Sequence, residues 1–392
     1  MKKIFAILAL ITIMAPISSV SAASDIEVGG WIPYWQDTMG TASASKNLDK
    51  LDIIYPFAFE VSSVGIPLDK ADLSEDKWQD LFEKARDEGV DVVPSILWNN
   101  GAEIQKVLSN PTWRRLHIEI IARYVEAGDF DGINIDYESK LSDTKNHFSL
   151  FLKELKERLN GKLLTCTVEA RMPPENRWRD VPKNIEYAND YKEMAKHCDV
   201  VELMTYDQQR ADLLLNDAKK GEPYIPVADV DWVESVLELA LKDFSADQIM
   251  LGVPTYGRKW TMTVAPEWYK EYKGNGAINL PDAKEWAEDN DVTPGENVAG
   301  EKSYTFFNPN SPFKILDVLP VPDGTRVGFE AVAKALLFAN LTKMEVPVEL
   351  VWYSDADAIA DKVDLAKQYG LKGIAIFKVD GEEDQKIWNL FD

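Results

Sequence analysis

The feature that most constrains this chain is an alternation repeated along its length: a short apolar run, a polar loop, then a segment of helical period. Strand-like runs fall at 28–34, 51–60, 91–97, 131–138, 162–169, 199–205, 248–255 and 373–377. Helical patterns at 78–88, 102–108, 112–127, 144–159, 189–197, 232–242 and 356–369 separate them. The strand runs are mostly apolar throughout, as expected where both faces of a sheet are covered. Eight strands separated by helices predict an α/β fold, a (β/α)8 TIM barrel. A doubly wound open sheet is the alternative, but no Gly-rich phosphate loop follows an early strand.

One interval breaks the rhythm. Residues 258–346 are far too many for a single crossover helix. They contain alternating stretches at 304–307 and 313–319, a Pro322-Asp323-Gly324 turn and a helical pattern at 327–338. Their apolar and aromatic content predicts a small α+β insertion between strands seven and eight rather than a decorative loop.

The ends and the charge narrow the setting. Met1-Lys2-Lys3, an apolar run over 4–17 and the small-residue site Val20-Ser21-Ala22 read as a secretory signal peptide, 1–22, cut after Ala22. The run is shorter than the roughly 20 residues that a spanning helix needs. The barrel then occupies 25–392 of an exported, secreted protein, with no membrane attachment after cleavage and monomer as the default state. Net charge is −23, and −25 without the first 22 residues, which carry two lysines and no acid. Such a field repels nucleic acid and anionic membrane surfaces. Cys166 and Cys198 are expected as two small buried side chains; pairing is the alternative in an exported protein. His117, His147 and His197 fall in predicted helices without a companion at metal-ligand spacing, so neither a metal nor a cofactor is expected.

The chemistry concentrates in Asp131-Gly132-Ile133-Asn134-Ile135-Asp136-Tyr137-Glu138. A period of two puts Asn134, Asp136 and Glu138 on one face and Ile133, Ile135 and Tyr137 on the other. The polar face is not ordinary core, because an unpaired carboxylate away from water is costly. Two carboxylic acids and an amide in one column at a strand end suggest an acid catalyst with its tuning partner. A half-exposed strand with a solvated polar face is the bland alternative. Barrel enzymes place their chemistry at the C-terminal strand ends. Those ends here carry Trp31, Tyr34, Phe57, Trp98, Met204, Tyr206, Asp207, Tyr256, Arg258 and Phe377. Aromatic rings at so many mouths suit a sugar, whose C–H faces pack on rings while its hydroxyls take hydrogen bonds. Several of them are expected to be plain core instead.

The motif Asp-Gly-x-Asn-x-Asp-x-Glu resembles the signature of glycoside hydrolase family 18, the chitinase-like enzymes. Met204-Thr205-Tyr206-Asp207, the run 253–258 and the closing segment 373–388 are similar to further family patterns, in order across the chain. The resemblance implies retaining, substrate-assisted hydrolysis of β-1,4-linked N-acetylglucosamine glycans, an exception to the two-carboxylate scheme. Glu138 would be the general acid and then base, and Asp136 would hold the acetamido N–H. Tyr206 would bond the acetamido oxygen, and Asp207 would orient substrate. Trp31, Tyr34, Phe57, Trp98, Asn134, Met204, Tyr256, Arg258 and Phe377 would line the substrate site. A carboxylate at Asp136 would raise Glu138 by like-charge repulsion.

Two positions depart from the family pattern. Asn134 replaces an Asp; an amide does not titrate and offers hydrogen bonds alone. Phe377 stands where the family usually has a Trp, keeping a ring but losing area and the indole N–H. The insertion favours chitin as the glycan, whereas Asn134 and Phe377 favour peptidoglycan or a spore or cell-wall glycan. A non-catalytic, lectin-like barrel is the reading from another class, and the presence of Glu138, Asp136 and Tyr206 argues against it.

Overall fold

The computed structural model describes residues 26–391; the expected signal segment, 1–22, lies outside them. Eight strands form a closed barrel: β1 (Glu27–Pro33), β2 (Ile53–Val61), β3 (Ser95–Trp98), β4 (Gly132–Tyr137), β5 (Leu163–Glu169), β6 (Val200–Met204), β7 (Ile249–Pro254) and β8 (Gly373–Phe377). Every neighbouring pair is parallel, and β8 closes on β1 through Glu27 opposite Gly373. The structure is thus the (β/α)8 barrel that the alternation predicts. Among the described residues no helix is long and apolar enough to cross a membrane.

The third predicted strand is split into Asp91–Val92 and β3, with Pro94 in the gap. Proline has no N–H to give a ladder, so pairing stops and restarts there. Alternation carries on across the gap, with Val93, like Ser95, inside and Val92, like Ile96, outside. Ser95 faces the interior, where its hydroxyl accepts the Trp31 indole N–H at 3.1 Å, while Ile96 and Trp98 join the outer core.

Alternation along the strands makes two cores. Outward residues such as Ile133, Ile135, Tyr137, Leu164 and Cys166 pack against the helices. Inward, a smaller cluster of Trp31, Tyr55, Phe57, Val200, Met250 and Ala375 shares the barrel with buried Asn134, Thr165, Thr167 and Glu202. The glycine that opens β4 follows from packing. A Cβ on Gly132 would lie 2.4 Å from the Leu163 carbonyl oxygen, so only glycine lets β4 and β5 approach. Behind β4, buried His117 accepts from the Tyr137 hydroxyl, and its Nδ1 donates to the Gly65 carbonyl at 2.6 Å.

Between β7 and β8 stands a second, antiparallel sheet of 268–278, 257–265, 346–353, 302–306 and 295–296, in that order. Helices Leu280–Asp289 and Glu330–Thr342 accompany it. The hairpin 257–278 follows β7 almost at once, and the sheet runs on to Tyr353. The stretch 313–319 is not a strand: Pro312–Val318 is a 3-10 helix, started by Ser311, whose hydroxyl accepts the Phe313 N–H at 3.2 Å. Apolar residues there alternate by chance, and the Ser-Pro start decides the conformation. Buried Glu301 fastens the unit to the barrel. Its carboxylate accepts from the Val227 and Ala228 N–H groups at 2.9 and 3.1 Å, and from Trp352 and Ser354 at 2.6 Å each.

Cys166 and Cys198 form a disulfide, with Cα atoms 6.0 Å apart, which corrects the expectation of two unpaired side chains. The reason is register. Cys166 lies opposite Val201 on parallel neighbours, and Cys198 ends the helix that feeds β6, so both thiols meet in the outer core. The bond closes a loop with a sequence separation of 32. Chain entropy assigns such a loop about 3–4 kcal/mol. Replacing both cysteines by alanine should lower stability by about that amount in urea unfolding, and reductant should then have no further effect. An unchanged midpoint would contradict the pairing.

Candidate active site

The polar column of β4 points into the barrel as its period requires. Asn134 is fully enclosed and its amide is satisfied on both sides. Its Nδ2 donates to Thr165 Oγ1 at 2.7 Å and Glu202 Oε2 at 3.1 Å, while Thr167 donates to its Oδ1 at 3.0 Å. Asp136 lies above, 4% exposed, and its Oδ1 has no hydrogen-bond partner among the described residues. Burial, then the charge of Glu138, pushes the Asp136 carboxyl well above the usual range. An acceptor held dry and unbonded at a cavity floor is a place for a donor brought by a ligand.

Glu138 closes the column at the rim. Its carboxyl is also raised, by burial first and then by Glu169 and Asp207, with Lys140 acting in the opposite sense. The sequence expectation put this on Asp136; desolvation is the larger cause. Glu169, at the end of β5, accepts the Ser139 N–H at 2.7 Å and faces the buried ammonium of Lys140 at 3.8 Å. Ser139 holds a left-handed backbone, with φ 55°, which turns the chain sharply after the acid. Neither Glu169 nor Lys140 stood out in sequence. The inward period Thr165, Thr167, Glu169 along β5 was the available signal.

On the far wall Asp207 also takes a left-handed conformation, φ 58°, and its carboxylate grips Arg258 in a two-pronged pair, with Nε–Oδ1 2.7 Å and Nη2–Oδ2 2.6 Å. This joins the mouth of β6 to the first strand of the insertion. Tyr206 stacks on Phe377, with ring centres 5.4 Å apart and planes at 18°. Phe377 is the hub of the aromatic floor, with Trp31, Phe57 and Tyr256 edge-on at 6.0, 6.4 and 6.1 Å. A Cβ on Gly252 would come within 3.0 Å of the Tyr206 ring, so glycine in β7 leaves room for that phenol.

The structure therefore gathers Asp136, Glu138, Tyr206, Asp207, Arg258, Tyr256, Phe377, Met204, Trp31 and Phe57 at one mouth. Tyr34 sits at its edge and donates to Glu60 at 2.7 Å. Trp98 is not among them: it lies in the outer layer, edge-on to Tyr137 at 5.4 Å and tilted against His117 at 5.5 Å. Trp35, half exposed and edge-on to Phe57 at 5.6 Å, stands at the rim and was not singled out in sequence. Two cavities open here and share Asp207. One, about 520 Å³, holds Glu138, Glu169, Met204 and Tyr206; the other, about 330 Å³, holds Trp35, Tyr256, Arg258 and Phe377. A third, about 880 Å³, is lined by residues of helices 145–159 and 191–197 and of the preceding loops, and contains none of the mouth carboxylates. Among the described residues no cluster of metal-ligating side chains occurs.

Glu202 carries a stability prediction. Burial pushes its carboxyl up to about 7, against the hydrogen bonds that lower it. A carboxyl raised in the fold favours the folded state at low pH, and that contribution is lost as pH rises from the unfolded value through about 7. Glu202→Gln should thus gain stability relative to wild type between pH 5 and pH 8, on the order of 3 kcal/mol by urea unfolding. An equal gap between the two proteins at both pH values would contradict it.

With this geometry in place, the chain can be set beside known proteins. The profile of the glycosyl hydrolases family 18 matches residues 29–382. YvbX, an uncharacterized glycosylase of Bacillus subtilis, is 23% identical over 289 residues, which are 74% of this chain and 68% of that protein. The cortical fragment-lytic enzyme of the same organism is 23% identical over 71% of this chain, yet the match spans only 53% of its own length. The crystal structure of the Bacillus megaterium spore cortex-lytic enzyme SleL superposes with a TM-score of 0.68 at 20% identity, over 93% of this chain and 73% of that one. The chitinase of Chromobacterium violaceum gives 0.66 at 17% identity, over 93% and 98%. These superpositions show a shared barrel. The profile covers nearly all the described residues and includes the whole mouth, and the chain belongs to glycoside hydrolase family 18.

Proposed function

We propose that this glycoside hydrolase is exported and cuts β-1,4 bonds next to N-acetylglucosamine units by a retaining mechanism in which the substrate's acetamide is the nucleophile. The observation that carries the reading is the buried, unbonded Oδ1 of Asp136 beside a raised Glu138, on a floor made by Tyr206 and Phe377. Glu138 gives its proton to the glycosidic oxygen as the bond to the anomeric carbon breaks. The acetamido oxygen closes onto that carbon, and Asp136 takes the acetamido N–H as a hydrogen-bond partner. The Tyr206 hydroxyl steadies the acetamido oxygen, and the Asp207–Arg258 pair holds the wall. Glu138, now ionised, takes a proton from water as the water opens the ring from the opposite face. Both chitin oligomers and peptidoglycan present the required unit, and the relatives' names divide between chitinases and spore cortex-lytic enzymes. The Cys166–Cys198 bond supports an oxidising destination outside the cytoplasm.

Product release from N-acetylglucosamine oligomers and from purified peptidoglycan tests the reading. Glu138→Gln should lose about 10²-fold or more in kcat on whichever glycan is cut. The first product formed by wild type should carry the β-configuration at its new reducing end; the α-anomer would overturn the retaining scheme.

The pH profile follows from charge. Glu169 raises Glu138, so Glu169→Gln should lower it. The acid then loses its proton sooner, and the basic limb of kcat/KM moves to lower pH. A limb that stays put or moves upward would show that Glu169 does not act on the acid.

A further inference from the structure

We infer that the cavity on the leaving-group side of the site is built to receive a sugar that bears a carboxylate. This rests on the N-acetylglucosamine reading above and names what lies across the cut bond. The two cavities that meet at Asp207 differ in character. The smaller holds Phe377 and Tyr256 and an Arg258 already occupied by Asp207. The larger holds the acids Glu138, Glu169 and Asp207 together with two further guanidinium groups, Arg177 and Arg210. Glu138 protonates the departing oxygen, so the larger cavity takes the departing sugar.

Neither arginine forms an ion pair among the described residues. Arg177 lies over the Trp178 ring at 5.1 Å, and Arg210 over Tyr272, a residue of the insertion, at 5.0 Å. Adjacent Arg179 is, by contrast, paired with Asp217 at 3.1 Å, and the same Asp217 lies within electrostatic reach of Arg210. The backbone that presents the two groups is held in place. Arg177 ends the short helix after β5, and Arg210 follows β6. Fully buried Asp212 joins these loops: one oxygen accepts from Asn176 Nδ2 at 2.7 Å and the other caps helix 213–218 through the Leu215 N–H at 2.9 Å.

The charge of the whole chain sharpens the point. A protein of net charge −23 repels an anionic glycan, and a neutral sugar needs no cation to bind. Of the cavity's other acids Glu169 faces Lys140 and Asp207 is held by Arg258, so the two guanidinium groups outside any ion pair are free to offer a carboxylate its preferred planar, two-pronged partner. The carboxylate could belong to a lactyl ether, as in muramic acid, or to a uronic acid, and either would meet the same pair.

The test compares tetrasaccharides in which N-acetylglucosamine alternates with N-acetylmuramic acid or with glucuronic acid. Each is assayed as the free acid and as the carboxamide, beside the neutral N-acetylglucosamine tetramer. Wild type should cleave the acid about tenfold or more faster in kcat/KM than the carboxamide in at least one series, and that series identifies the source of the carboxylate. In Arg177→Gln/Arg210→Gln the ratio of acid to carboxamide should fall to about one, and in wild type it should shrink with added salt. Equal rates on acid and carboxamide in both series would overturn the inference, as would a double variant that keeps the preference. Cleavage of the neutral tetramer alone would also overturn it while leaving the glycosidase reading intact. No cleavage of any of the five sugars would overturn both.

Discussion

A carboxylate enclosed in a barrel of low dielectric is costly unless it is neutral, paired or about to be bonded, and β4 puts two polar residues inside and a third at the rim. Asn134 is made safe by Thr165, Thr167 and Glu202. Asp136 is not, and its Oδ1 stays unbonded. The rest of the mouth is arranged around that unmet need. Burial raises the carboxyls of both Asp136 and Glu138 above the ordinary carboxylate range. A substrate amide that arrives at Asp136 supplies the missing donor and relieves the cost of the buried, unbonded acceptor.

The insertion matters for the same reason. It supplies Arg258, which pairs with Asp207, one of the carboxylates whose charge raises Glu138. Glu301 ties the insertion to the loop after β6 with two hydrogen bonds, from the Val227 and Ala228 N–H groups, while Trp352 and Ser354 hold its carboxylate from the insertion's side, so the Asp207–Arg258 wall is fixed from both ends. Phe377 joins the two parts. It touches Tyr206 from the barrel and Tyr256 from the start of the insertion, so one ring sets the spacing between floor and wall.

Much of this was legible in the sequence because period dictates direction. Residues 133, 135 and 137 had to face the helices if 134, 136 and 138 faced inward, and the eight-fold alternation left little choice of architecture. Legibility failed where a local event reset the period or where the partner was remote. Trp98 faces outward for a simpler reason: it shares its parity with Val92 and Ile96, which a count of strand-end aromatics ignores. Ser311-Pro312 made a helical turn from an alternating run. The disulfide depended on the register between β5 and β6, and the Glu169–Lys140 pair on the turn at Ser139. Glu202 looked like one acid among many. Its importance comes from pointing at Asn134 across the barrel.

The roles of Asp136 and Glu138 depend on which atom attacks the anomeric carbon. An aryl chitobioside series that carries N-acetyl, N-fluoroacetyl, N-difluoroacetyl and N-trifluoroacetyl groups on the reacting sugar makes the acetamido oxygen a progressively weaker nucleophile while barely changing its size. If that oxygen attacks while Asp136 holds the N–H, kcat/KM should fall steeply with each fluorine. A flat series would mean that a protein carboxylate attacks instead, and that Asp136 and Glu138 have been given the wrong roles.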